Sequence, residues 1–238
     1  MKTPTTVLSH LAHSKAVPSR PGFTELCQRA VRSGPILASR LGPGPTAMQR
    51  RAKRTFDITC SLTGLILAAP LLALVALAVK LTSPGPVFFR HVRVGYRGKP
   101  FTMLKFRTMR TGAPRQVDTD GRTLVREGDV RLTPVGNLLR RGLDELPQLV
   151  NVLRGEMALV GPRPDEPYHL AYYEEGWHHR LTVRPGITGL PQVAGRRALP
   201  WAERVALDNA YISCLSLRLD AQVLLRTVSA IWSNEGNA

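Results

Sequence analysis

Residues 58–79 read ITCSLTGLILAAPLLALVALAV, 22 positions without one charged side chain. About 20 apolar residues suffice for a helix to enter and cross bilayer hydrocarbon, and soluble cores seldom use so long an unbroken run. The stretch therefore reads as a membrane-inserted helix. Pro70 lies at its middle, where it lacks an N–H and its ring presses on the carbonyl of Ile66, so a kink or break is expected there. Arg50, Arg51, Lys53 and Arg54 precede the run, and Lys80, Arg90, Arg93, Arg97 and Lys99 follow it. Positive flanks stay on the cytoplasmic side, and here both ends carry them. A re-entrant hairpin, broken at Pro70 and dipping into one leaflet, satisfies both flanks better than a span.

Outward from this run the chain divides in three. Residues 1–49 contain GPGP at 42–45, scattered arginines and a single acid, Glu25. With few evenly spaced apolar residues they predict a disordered, basic, Pro-rich tail. The start carries no apolar segment of the kind a secretory signal needs. Residues 50–82 form the membrane-inserted unit, and residues 83–238 the cytoplasmic catalytic domain. In the latter, VFFRHVRVG and FTMLKF flank the turn YRGKP as a β-hairpin. Polar residues 110–130 predict a loop, and a short helix follows at about 134–141. A helix on DELPQ, the loop VGPRPDEP, a helix near 167–178, the Gly/Pro-rich VRPGITGLPQVAGR and an amphipathic helix pair at about 201–232 complete it. The fold class is α+β.

Lys and Arg number 33 against 17 acids in 238 residues, a formal charge of +16. Such a surplus favours anionic partners: nucleic acid, anionic membrane or phosphorylated substrate. No nucleic-acid motif accompanies the charge, and much of it flanks the apolar run, so nucleic acid ranks last. Cys27, Cys60 and Cys214 are far apart and form no CxxC pair, which argues against a disulfide framework and a zinc site. His178 and His179 are adjacent with no further ligand at metal spacing, and read as surface or substrate-side residues.

Two acids stand together in LDELPQLVNVL, residues 143–153. Asp144 ahead of the stripe Leu146, Leu149, Val150, Leu153 has the look of a helix N-cap, with Glu145 complementing the helix dipole. A second reading is catalytic, and a third makes the whole chain a non-enzymatic basic membrane scaffold. Residue types alone leave all three open.

Three collinear motifs bear on the choice: KRTFD with the apolar run through KFRTM, then LDELPQLVNVLRGEMALVGPRP, then VRPGITGLPQVAGR. Over about residues 50–232 the chain resembles the bacterial sugar transferase family, small monotopic phosphoglycosyl transferases that begin exopolysaccharide or related glycan assembly. The resemblance implies transfer of a sugar 1-phosphate from a nucleotide diphosphate sugar to undecaprenyl phosphate, with Mg²⁺, at the cytoplasmic face of the bacterial inner membrane. It implies that Asp144 is the nucleophile of a covalent phosphosugar intermediate and that Glu145 holds the magnesium. A carboxylate can attack phosphorus and split one displacement into two, and a cation shields the repelling diphosphate. Lys105, Arg107, Arg140, Arg163 and Arg184, at motif positions, are the implied substrate-binding cations; arginine suits bidentate phosphate recognition.

Two departures are visible. LRRGLDELPQ is one residue shorter than the LRKxSLDELPQ-like pattern, which in a helix turns Arg140 about 100° away from Asp144. GLPQVAGRR stands for a GWAQVNGR-like segment, so Leu190, Pro191 and Ala194 imply altered membrane seating or sugar recognition. The sugar, the nucleotide base and homo-oligomerisation are not legible.

Overall fold

The computed structural model describes residues 21–40, 44–114, 116, 128–140, 142–195 and 199–232. Helix α1 (Pro21–Ala38, interrupted at Gly34) comes first. It corrects part of the expected tail: Phe23, Cys27 and Ala30, at i, i+4 and i+7, make one apolar stripe that is buried in the core. Residues 1–20 lie outside the described residues.

Helix α2 (Ala47–Thr82) starts from a capping box in which Thr46 Oγ1 accepts from Gln49 N at 3.2 Å and Gln49 Oε1 accepts from Thr46 N at 2.7 Å. It continues through Pro70 as one helix of 36 residues. The expected break in helical structure is therefore absent; a proline removes one ladder bond and bends a helix without having to end it. Only 11 % of its most apolar 18-residue window is buried by the protein. Leu67, Leu74 and Leu81 are among its exposed side chains, so this is no core helix of a soluble domain.

Both ends of α2 are fastened to the same body. Near its start, Lys53 Nζ is 2.9 Å from Asp220 Oδ2, Asp57 Oδ1 accepts from Leu159 N at 3.2 Å, and Arg54 donates to the carbonyls of Val152 and Leu153. At its end, Val75 and Val79 pack with Phe106 and Leu139 in a small apolar cluster.

Strands β1 (Phe88–Val94) and β2 (Pro100–Phe106) form the antiparallel hairpin, in register from Phe88↔Phe106 to Val94↔Pro100. A 3₁₀ turn at Tyr96–Gly98 joins them. Then come α3 (Gly136–Leu139), α4 (Gln148–Arg154) and the parallel pair β3 (Ala158–Val160) and β4 (Gly186–Thr188). The helix expected near 167–178 is instead two 3₁₀ segments, Pro167–Tyr172 and Trp177–Thr182, separated where Gly176 takes a φ of 81°. The short α5 (Leu190–Ala194), then α6 (Trp201–Ser213) and α7 (Leu217–Trp232), follow, the last two matching the expected pair. Met157, Val160, Leu190, Leu207, Tyr211 and Val223 centre the main core.

Candidate active site

The acid pair is not a helix cap. Gly142 adopts the left-handed conformation at φ 116°, the chain makes one 3₁₀ turn over Leu143–Glu145, and α4 begins only after Pro147. No hydrogen bond of the Asp144 carboxylate is present among the described residues. Gly142 also removes the rotation argument about Arg140: no continuous helix joins it to Asp144, and its charge still acts on that carboxyl. Leu143 packs against the cluster of Val75, Val79, Phe106 and Leu139, which pins the turn to the second half of α2.

Glu145 receives two cations. Lys105 Nζ lies 2.5 Å from Oε1, and Arg163 contributes Nη2 at 2.6 Å to Oε1 and Nη1 at 3.4 Å to Oε2. Burial raises the Glu145 carboxyl, but the Arg163 and Lys105 charges and hydrogen bonds outweigh it and hold it well below the usual range. Burial lowers Lys105, with Glu145 opposing. Burial, joined by Glu145, raises Asp144 against the pull of Lys105, Arg140 and Arg163. The result is a half-buried carboxylate with no hydrogen bond among the described residues, set beside cations able to receive an anion.

Polar residues outside the expected set fix this geometry. Asn151 accepts from Leu104 N at 3.0 Å and donates to Thr102 O at 2.8 Å, clamping α4 to β2 and so placing Lys105 beside Glu145. The loop carrying Arg163 is held from behind by Arg180, whose Nη2 donates to Arg163 O at 3.0 Å and whose Nε donates to Asp208 Oδ2 at 2.8 Å. Arg180 also pairs with Asp165, which accepts from Tyr173 OH at 2.7 Å. Burial alone would raise Asp165, but Arg180 and Tyr173 keep it low; burial pushes Asp208 up to about 6 despite Arg180. The acids of PDEP directly after Arg163 were the available signal for this support, whereas Arg180, in HHR, belongs to no recognisable pattern.

Two expected substrate cations stand elsewhere. Arg107 is buried and donates to the carbonyls of Val79, Ser83 and Pro84 and to Ser83 Oγ, closing the C-terminal end of α2. Gly85, at φ 122°, passes so close to this guanidinium that a Cβ there would collide with it. Arg184 donates to Gly155 O at 2.7 Å, at the end of α4 remote from the acid pair. Leu190, Pro191 and Ala194 are buried, which places that departure in the core rather than at the membrane or the acid pair. Arg107→Gln is accordingly expected to lower stability by about 1–3 kcal/mol, the cost of orphaned buried carbonyls, while leaving donor KM within about twofold. Unfolding and steady-state kinetics on one preparation check it.

Among the described residues no group of three or more His, Cys, Asp or Glu is arranged to hold a metal. The adjacent carboxylates still fit Mg²⁺, which commonly binds through one or two carboxylates and completes its shell with substrate phosphates and water.

Residues 48–234 match the family described as Bacterial sugar transferase. The UDP-glucose:undecaprenyl-phosphate glucose-1-phosphate transferase of Caulobacter vibrioides is 42 % identical over 203 residues, covering 82 % of this chain and 74 % of that protein. The exopolysaccharide production protein ExoY of Sinorhizobium fredii is 38 % identical over 198 residues, covering 78 % and 88 %. An Escherichia coli protein with the same name as the Caulobacter one is 42 % identical over 192 residues, covering 77 % of this chain and 40 % of its own length.

Proposed function

Since the chain belongs to the bacterial sugar transferase family, we propose that it moves a sugar 1-phosphate from a UDP-sugar to undecaprenyl phosphate, through a covalent intermediate on Asp144. The observation that carries this reading is the unbonded Asp144 carboxylate beside the Lys105–Glu145–Arg163 cluster.

An Asp144 carboxylate oxygen attacks the phosphorus that bears the sugar; the bond from that phosphorus to the bridging oxygen breaks, and UMP leaves with the oxygen. A phosphate oxygen of undecaprenyl phosphate then attacks the same phosphorus, the acyl phosphate opens, and Asp144 returns as a carboxylate with polyprenyl diphosphate sugar as product. Lys105 and Arg163 hold the diphosphate oxygens, and Arg140 adds positive potential. Glu145 would hold Mg²⁺, which would supply neutralisation of the diphosphate charge. Purified protein in detergent, given a panel of UDP-sugars, undecaprenyl phosphate and Mg²⁺, should release UMP with one sugar and lose that activity on chelation. Absence of UMP with every donor removes the reaction, and full activity in excess chelator removes the metal.

The protein sits, on this reading, in the inner membrane with its catalytic body on the cytoplasmic face and α2 re-entrant, bent at Pro70. A straight helix from Arg54 to Ser83 spans about 43 Å at 1.5 Å per residue. Both ends of that length are nevertheless fastened to one body, Arg54 to the carbonyls of Val152 and Leu153 and the last turn to Arg107, which supports entry and exit on the same face. Cysteines placed near residues 50 and 90 should both resist an impermeant thiol reagent in intact cells. Labelling of the first from outside establishes a span instead.

A further inference from the structure

A second cationic feature lies between the hairpin tip and the start of α2. Arg50, Tyr96, Arg97, His178, Leu181 and Thr182 line an open concavity of about 370 Å³, a size in the range of small-ligand sites. Among the described residues no carboxylate lines it. The Tyr96 ring is approached by two guanidinium groups, Arg97 at 5.0 Å and Arg184 at 6.0 Å from its centroid. Arg97 takes φ 57°, the one residue other than glycine with positive φ among the described residues. Its charge is thus carried to the rim on backbone that a side chain disfavours.

Position separates this concavity from the acid pair and gives it a ligand. Arg184, facing Tyr96, is bonded at the C-terminal end of α4, whereas Asp144 precedes the other end, about 10 Å away along seven residues. Arg50 stands on α2 about 12 Å before Ile58, where the apolar run starts, which sets it at headgroup depth. Resting on the membrane seating argued above, we propose that the concavity binds the phosphate of an anionic phospholipid headgroup. Arg50 and Arg97 take the phosphate oxygens, and Tyr96 and Leu181 offer an apolar wall to the glycerol and first methylenes.

Thermal unfolding of the full chain in neutral detergent micelles tests this. Dihexanoyl phosphatidylglycerol should raise Tm by about 3 °C or more, with dihexanoyl phosphatidylcholine and inorganic phosphate giving little change. Arg97→Gly relieves the left-handed backbone, so it removes the charge without endangering the fold; it and Arg50→Gln should each erase most of the rise while turnover in plain micelles stays unchanged. An equal rise with inorganic phosphate assigns the site to soluble anions and overturns the lipid. No rise, or a rise both variants retain, overturns the site. Turnover in the same micelles reports the proposed reaction separately, so a wild-type protein that shows the lipid shift without UMP release would lose the reaction and keep this site.

Discussion

Asp144→Asn is expected to lower turnover by about 10³-fold or more while leaving expression, membrane association and unfolding temperature near those of the parent protein. Asn matches Asp in size and is an equally good helix cap, so a merely structural Asp144 would tolerate it. Among the described residues this carboxylate has no hydrogen bond to lose, and burial with Glu145 alongside makes its charge costly, so the change should, if anything, relieve the fold. What Asn lacks is the anionic oxygen. Brief exposure of the parent protein to donor without acceptor should give an adduct of sugar-phosphate mass in intact-protein mass spectrometry, absent from the variant. Parental turnover in Asp144→Asn ends the covalent mechanism. Glu145→Gln, which keeps the shape and the one oxygen that accepts from Lys105 and Arg163 Nη2 but loses the charge and the second acceptor, should lose less and do so with a raised Mg²⁺ requirement.

Arg180→Leu should be the most destabilising single change proposed, costing about 3–5 kcal/mol, because it leaves Asp165 and Asp208 charged, buried and without their cation. The loss should depend on pH, and the sign follows from proton binding. Asp208 titrates near 6 in the folded protein against an ordinary 3.8, so between those values the native state holds a proton the unfolded chain has released. Stability from this group therefore falls as pH rises through that window. Asp165, held low by Arg180 and Tyr173, has the opposite sign: its contribution is present above its ordinary pKa and is lost as pH falls towards its depressed one. Removing Arg180 raises both acids, so the deficit against the parent should be larger at pH 8 than at pH 5. Denaturant unfolding at the two values checks this, and a pH-independent deficit would show that lost packing rather than charge is responsible.

The hairpin was legible because β1 and β2 are apolar runs flanking a glycine-containing turn, and α2 because 22 uncharged residues admit few other readings. Helix α1 was not: its three buried positions, Phe23, Cys27 and Ala30, are short-range evidence, and Gly34–Pro35 punctuates it as loops are punctuated. Asp144 resembled a cap because an apolar stripe follows it; the pattern does not register that Gly142 turns left-handed and that Pro147, not Asp144, precedes α4. Among the arginines the difficulty is general. Arg163 and Arg107 both sit in motifs, yet one meets a carboxylate at the acid pair and the other closes a helix end. Which partner an arginine finds depends on where distant backbone carbonyls fall, and periodicity carries no information about that. Asn151 and Arg180 were missed for the same reason, since each acts through main-chain atoms far along the chain.

Leu143 packs into the cluster that joins Val75 and Val79 to Phe106 and Leu139. On the proposed function and membrane seating, this packing makes the Asp144 carboxylate a passenger of α2: wherever the bilayer lifts or lowers that helix, the acid moves with it. The proposed lipid-linked acceptor would float at the same level, carried by its own isoprenoid chain. Its search for the enzyme is then a planar one, over an area rather than through a volume, and on arrival its phosphate need not rise out of the leaflet. Only the water-borne donor arrives from three dimensions.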